Sequence, residues 1–79
     1  MRLDKWLKVS RLIKRRTVAQ EACDGGHVYI GGRVAKPSTD VKVGDVIEIR
    51  FGAKTLRAEV LSVQETVKKD DAAAMYREL

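Results

Sequence analysis

A single cysteine, Cys23, has no partner for an internal disulfide, so the chain is not a disulfide-stapled small domain, and a reducing cytoplasm is its expected location. One histidine, His27, beside that one cysteine cannot supply a structural zinc site. No apolar run approaches the roughly 20 residues that cross a bilayer, so no membrane is expected. The opening MRLDKWLK lacks the apolar stretch of a secretory signal. The G-x-x-x-x-G-K-[ST] phosphate loop is missing, no nucleophile sits in a turn motif, and the acidic residues are scattered rather than paired. The expectation is no catalytic residue, no cofactor and no metal. Internal repeats and low-complexity tracts are absent too. At 79 residues the chain is one small domain near the lower limit for a self-supporting core.

What the chain does have is positive charge in one place. Residues 1–20 hold seven Lys/Arg (Arg2, Lys5, Lys8, Arg11, Lys14, Arg15 and Arg16) against Asp4 alone. The other 59 residues hold nine Lys/Arg against ten Asp/Glu, so the formal net charge of +5 is a local feature. A cationic patch on an otherwise balanced domain is the electrostatic footprint of a protein that meets a polyanion.

Periodicity places that patch on helices. Over Arg2–Arg11, Leu3, Trp6, Leu7 and Ser10 share one side of a helical wheel, with Val9 at its margin. Lys5, Lys8 and Arg11 stack opposite, with Asp4 among them. Thr17 and Gln20 have the spacing of a capping box, which predicts a second helix with Val18, Ala19, Ala22 and Cys23 on one face. Gly25-Gly26 would end that helix. From His27 the period becomes two: Val28 and Ile30 alternate with His27 and Tyr29, and Gly31-Gly32 makes a tight turn. Strands are expected over Val46–Phe51 and Leu56–Val63, a polar mobile stretch over Val67–Asp71, and a short helix over Ala72–Leu79 capped by Asp70 or Asp71. Helices and strands are segregated along the chain, so the class is α+β. The expected layout is residues 1–64 as the domain with its sheet and 65–79 as a polar linker and short C-terminal helix.

The segments R-L-D-K-W-L, K-R-R-T-x-A-x-x-A, G-H-V-Y-I-G-G-R-V and V-K-V-G-D-V-I-E-I, in that order, resemble the S-four RNA-binding domain. The likeness runs from Met1 to about Arg50. It implies two packed helices against a small, bent, mostly antiparallel sheet, with RNA held between the two helices and the loop before the first strand. The opening M-R-L-D-K-W-L-K-V-S-R-L-I-K-R-R-T, then A-K-P-S-T-D and K-K-D-D-A-A-A-M-Y, is similar to the stand-alone members of the family that serve bacterial ribosome-associated quality control. That resemblance implies binding to an obstructed large ribosomal subunit through large-subunit ribosomal RNA and peptidyl-site tRNA, alongside a factor that directs alanine tailing. It also implies a relationship to heat-shock-type factors that bind free large subunits. A monomer is expected.

The candidate RNA-binding residues are Arg2, Lys5, Lys8, Arg11, Lys14, Arg15, Arg16, His27 and Tyr29, with Asp4 and Thr17 as orienting residues. Lys14-Arg15-Arg16 next to a helix N-terminus combines three cations with unpaired backbone N–H groups, a phosphate cradle; the same run elsewhere is an ordinary solvated surface. By that resemblance Arg16 falls on the family's RNA-contacting arginine, and Arg2 on its opening arginine. Lys5 and Lys8 are also what the wet side of any helix carries. Asp4 either orients Arg16 or Lys8 by a salt bridge or caps the helix. Trp6 lies on the apolar face and reads as core rather than as a base-stacking ring. His27 faces the RNA or only starts a strand, and Tyr29, exposed by alternation, is a stacking candidate. Two other function classes remain: an RNA-binding module of a tRNA- or rRNA-modifying enzyme, and a DNA binder. The start at Met1 and the expected C-terminal helix favour a stand-alone factor. The small and acidic residues of Val18–Asp24 are a poor inventory for a DNA recognition helix.

Overall fold

Leu3, Trp6 and Leu7 on one helix stripe and Ile47 and Ile49 on one strand face are all fully buried, and they meet in one core. The structure, a computed structural model, describes residues 1–65 and 68–79. Its elements run α1 (Leu3–Val9), α2 (Arg16–Asp24), β1 (Val28–Ile30), β2 (Arg33–Val34), β3 (Val46–Phe51), β4 (Lys54–Val60), a 3-10 helix (Lys69–Met75) and β5 (Tyr76–Glu78). The strands form one antiparallel sheet in the order β2-β1-β3-β4-β5. This is the expected α+β architecture. Val28, Ile47, Ile49 and Val60 turn one sheet face toward α1 and α2, while Tyr29, Glu48 and Arg57 line up across the other.

Local chemistry sets the connections. Gly31 (φ 59°) and Gly32 (φ 83°) both take positive φ between β1 and β2, as a type I′ hairpin turn requires. Helix α1 stops at Val9, short of the expected Arg11. The Ser10 hydroxyl donates to Leu7 O at 3.1 Å, and Arg11 takes φ 63°, a left-handed C′ position usually filled by glycine. The chain reverses there and Ile13 (6% exposed) returns to the core.

Several expectations are corrected. Thr17 does not cap α2: the helix begins at Arg16, two residues earlier than a Thr17 cap would set, Arg15 is its N-cap, and no side-chain cap hydrogen bond forms. Thr17 is exposed, and Gln20 is engaged elsewhere. Val18 is 45% exposed and outside the core, so α2 buries only the Ala19–Cys23 stripe. The chain end is not an α-helix over Ala72–Leu79. Ala72 and Met75, three apart, are both buried, and a 3-10 turn with its period of three places both inward. Neither Asp70 nor Asp71 caps it; Lys68 is the N-cap, without a side-chain bond. Tyr76–Glu78 then pairs with β4, whose edge would otherwise stay open. Strand β4 itself ends at Val60 rather than Val63. Val67, part of the stretch expected to be mobile, lies outside the described residues.

Candidate nucleic-acid interface

Asp4 is the centre of the basic surface, and its side chain is fully buried. Five hydrogen bonds end on it: Arg2 Nε at 3.2 Å and Nη2 at 3.2 Å, the Lys5 amide at 2.7 Å, Gln20 Nε2 at 2.9 Å and Arg16 Nη2 at 3.5 Å. Burial pushes its pKa up, but the bonds from Gln20, Arg2, the Lys5 amide and Arg16 together outweigh that and hold it below the usual carboxylate value. Asp4 is therefore a buried anion at neutral pH. A buried anion persists only when paired and hydrogen-bonded, and two guanidiniums supply the pairing. The trio keeps a net positive charge. Arg2 and Arg16 remain 51% and 42% exposed, so the carboxylate holds one edge of each fork while the rest faces water. Arg16 Nε lies 3.4 Å from Asp4 Oδ2 as an ion pair, yet is buried without a hydrogen-bond partner among the described residues.

The rest of the N-terminal charge falls into two groups. Lys5 pairs with Glu65, and that contact lowers the pKa of Glu65. Lys8, Arg11, Lys14 and Arg15 are exposed, and among the described residues none has an ion pair. Of the two partners open to Asp4, the geometry joins it to Arg16, adds Arg2, and leaves Lys8 apart. The left-handed Arg11 turn delivers Lys14 and Arg15 to the start of α2. With no side-chain cap there, first-turn N–H groups are left for water or a ligand. Gln20 is the residue that the sequence reading missed. Its signal was present: Arg16 and Gln20 stand four apart on α2 and so share a face.

Tyr29 and His27 lie elsewhere. Tyr29 projects from the sheet face opposite the helices, and the Arg50 guanidinium sits 4.1 Å from its ring centroid. That cation covers one ring face, and a place on the far face of the sheet keeps Tyr29 apart from the Arg2–Arg16 pair. His27 is exposed and lies over the end of α2, where a Cβ on Gly25 would stand 2.9 Å from its ring. Trp6 is fully buried, donates from Nε1 to Ser62 O at 2.9 Å and meets Tyr76 edge-on at 6.5 Å. Cys23 is buried. Desolvation, then the charges of Asp4 and Asp24, push its thiol up to about 11, so it is a neutral, unreactive group. Among the described residues no three His, Cys, Asp or Glu side chains converge as metal ligands would, and no helix is long and apolar enough to cross a membrane.

A short helix pair with a buried acid pinning two arginines, backed by a small antiparallel sheet, defines the class. A family model of the S4 domain matches residues 1–47, and the chain belongs to that family. Its relatives narrow the class. It is 59% identical to the RQC P-site tRNA stabilizing factor (RqcP) of Streptococcus pneumoniae, over 96% of this chain and 86% of that protein. With the protein of the same name from Bacillus subtilis it shares 55% identity, over 96% of this chain and 88% of the relative. The trimeric structure of Vibrio cholerae Heat Shock Protein 15 superposes with a TM-score of 0.91 at 34% identity, covering 100% of this chain and 81% of that one.

Proposed function

We propose that this chain is a non-catalytic RNA-binding factor of bacterial ribosome-associated quality control in the cytoplasm. In this reading it binds obstructed large subunits through large-subunit ribosomal RNA and peptidyl-site tRNA, and supports alanine tailing of the stalled chain by a partner factor. The observation that carries the reading is the Asp4-held pair of half-exposed arginines, in a chain more than half identical to proteins named for P-site tRNA stabilization. Guanidiniums fixed along one edge present their remaining N–H groups to phosphate oxygens with little rotamer entropy left to lose. Arg2 and Arg16 are the principal phosphate contacts. Lys8, Arg11, Lys14 and Arg15 add the longer-range field, and Lys5, already paired with Glu65, contributes least. His27 and Tyr29, which lie away from the Arg2–Arg16 pair, are not part of this contact.

Arg2 comes from the start of α1 and Arg16 from the start of α2. Two helix-borne groups can bridge two phosphate backbones where one stripe would follow only one. Backbone and shape contacts then dominate, with little base-sequence preference. The fold likeness to Heat Shock Protein 15 favours a second reading, a heat-shock-type factor for free large subunits. The identity margin of 59% over 34% favours the first. Sucrose-gradient sedimentation with purified subunits separates them: the first reading expects enrichment on large subunits carrying peptidyl-tRNA, the second expects equal binding to empty ones.

A further inference from the structure

Beside Arg2 lies a groove of about 450 Å³ that the arginine pair does not account for. One wall is the end of α2 with Asp24; the other is the loop Val34–Ser38. We propose that this groove is a single-nucleotide subsite. It would take one unpaired ribonucleotide of the bound RNA, with its phosphate between Arg2 and Lys36 and its ribose hydroxyl on Asp24. The proposal rests on the RNA-binding reading above and deepens it.

Three observations support it. First, the loop is fixed before any ligand arrives. Lys36 N donates to Thr39 Oγ1 at 2.9 Å, and Thr39 N to Lys36 O at 3.0 Å. The start of α1 holds the same loop, with Leu3 N on Thr39 O at 2.8 Å and Asp4 N on Pro37 O at 3.1 Å. Those two bonds and the Arg2–Asp40 β-bridge hold Lys36–Thr39 beside the start of α1, so the backbone that carries both cations of the groove is fixed. Pre-formed walls are what a small-ligand site needs, and the volume lies within the usual range of such sites.

Second, the chemistry is segregated. Arg2 and Lys36 supply positive charge, and Ser38 a hydroxyl. Val34 (59% exposed) and Pro37 supply an apolar flank suited to a base or sugar face. Third, Asp24 enters from the other wall. A carboxylate repels phosphate but accepts a hydrogen bond from a ribose 2′-hydroxyl, the group that separates RNA from DNA. An acidic peptide, the other polyanion that two cations could draw, has no use for Asp24.

The test is fluorescence-anisotropy binding of a short single-stranded RNA and its deoxyribose counterpart, to the wild-type chain and to Lys36→Ala, Asp24→Ala and Arg16→Ala. Both groove residues are exposed, so the variants should fold, and thermal melts check that they do. Lys36→Ala should weaken both ligands about tenfold, the loss of one charge-assisted phosphate contact. Asp24→Ala removes a negative charge and should strengthen DNA binding, while RNA gains less because it loses the 2′-hydroxyl contact. The wild-type preference for RNA should therefore collapse. If Arg16→Ala weakens binding while the two groove variants match wild type, the groove is overturned and the RNA-binding reading stands. An Asp24→Ala variant with an unchanged RNA-to-DNA ratio overturns the ribose assignment. If the wild type binds neither nucleic acid, both readings fall. If polyglutamate binds and RNA does not displace it, the groove is a protein site.

Discussion

Asp4→Asn is nearly isosteric and removes one buried negative charge, so it separates positioning from charge counting. Gln20 Nε2 and Arg2 Nη2 both donate to Oδ2, and Arg2 Nε, Arg16 Nη2 and the Lys5 amide to Oδ1. Asparagine keeps one acceptor oxygen and turns the other into an NH₂ that faces donors. Hydrogen bonds to a charged group contribute about 1.5–3 kcal/mol each, but Arg2 and Arg16 are half exposed and regain water when released. The net loss is then about 2–3 kcal/mol, below what breaking a fully buried pair costs. For a domain of this size that lowers Tm by on the order of 10–20 °C. The RNA assay is the sharper half. Charge counting says that a more positive protein binds RNA more tightly; positioning says that released arginines bind it more weakly. The expected result is weaker binding at a temperature where the variant remains folded. Tighter RNA binding together with an unchanged melt would refute the role given to Asp4. The pH profile is a companion test. Because the folded pKa of Asp4 lies below its ordinary value of 3.8, the unfolded chain takes up the proton first as pH falls. Its stabilisation is present above that value and lost below it. Asp4→Asn should flatten part of this acid limb.

Other perturbations reach different parts of the structure. Met75→Ala should cost about 2–5 kcal/mol, because Met75 is 1% exposed; a neutral result in a denaturant melt would detach the C-terminal segment from the core. Cys23 should not react with a thiol reagent at pH 8 until the protein unfolds. Stability should also sag between pH 9 and 11, because the unfolded thiol ionises near 9.0 and the folded one at about 11; rapid native-state labelling would contradict its burial. Arg16→Ala should weaken large-subunit binding by about 1.5–3 kcal/mol while Lys54→Ala, at the β3–β4 turn, changes little; equal pelleting of the two with unaltered melts would remove Arg16 from the site. If about five cations neutralise phosphates, log K should fall with log[salt] at a slope of roughly −3.5 to −4.5, and a flat titration would remove the electrostatic basis.

The repeating parts of the fold were legible because burial repeats with them. Leu3, Trp6 and Leu7 mark α1, Ile47 and Ile49 mark β3, and Gly31-Gly32 marks a turn that few other residue pairs accommodate. What stayed hidden depended on contacts distant in sequence. Ala72–Met75 satisfies helical propensity, but nothing local announces that β4 lacks an edge partner or that Tyr76 meets Trp6. Gln20 completed a plausible capping box, and only the approach of α2 to α1 turns it toward Asp4. An aspartate among lysines on a polar stripe reads as solvent-facing; its burial becomes affordable only once Arg2, Arg16 and Gln20 converge. The arginines, and Asp4 as a salt-bridge partner for Arg16, could be named from sequence, while the burial of that acid and its bonds to Arg2 and Gln20 had to be seen.

The most direct test of the proposed function is the affinity of this protein for purified large subunits with and without peptidyl-tRNA in the P site. Two contacts made together bind more tightly than either alone, because the second forms at high effective concentration. Binding to the tRNA-bearing subunit should be markedly tighter, with the difference lost in Arg2→Ala or Arg16→Ala. Equal affinity for the empty and the occupied subunit would contradict the proposed function and leave a plain ribosomal-RNA binder.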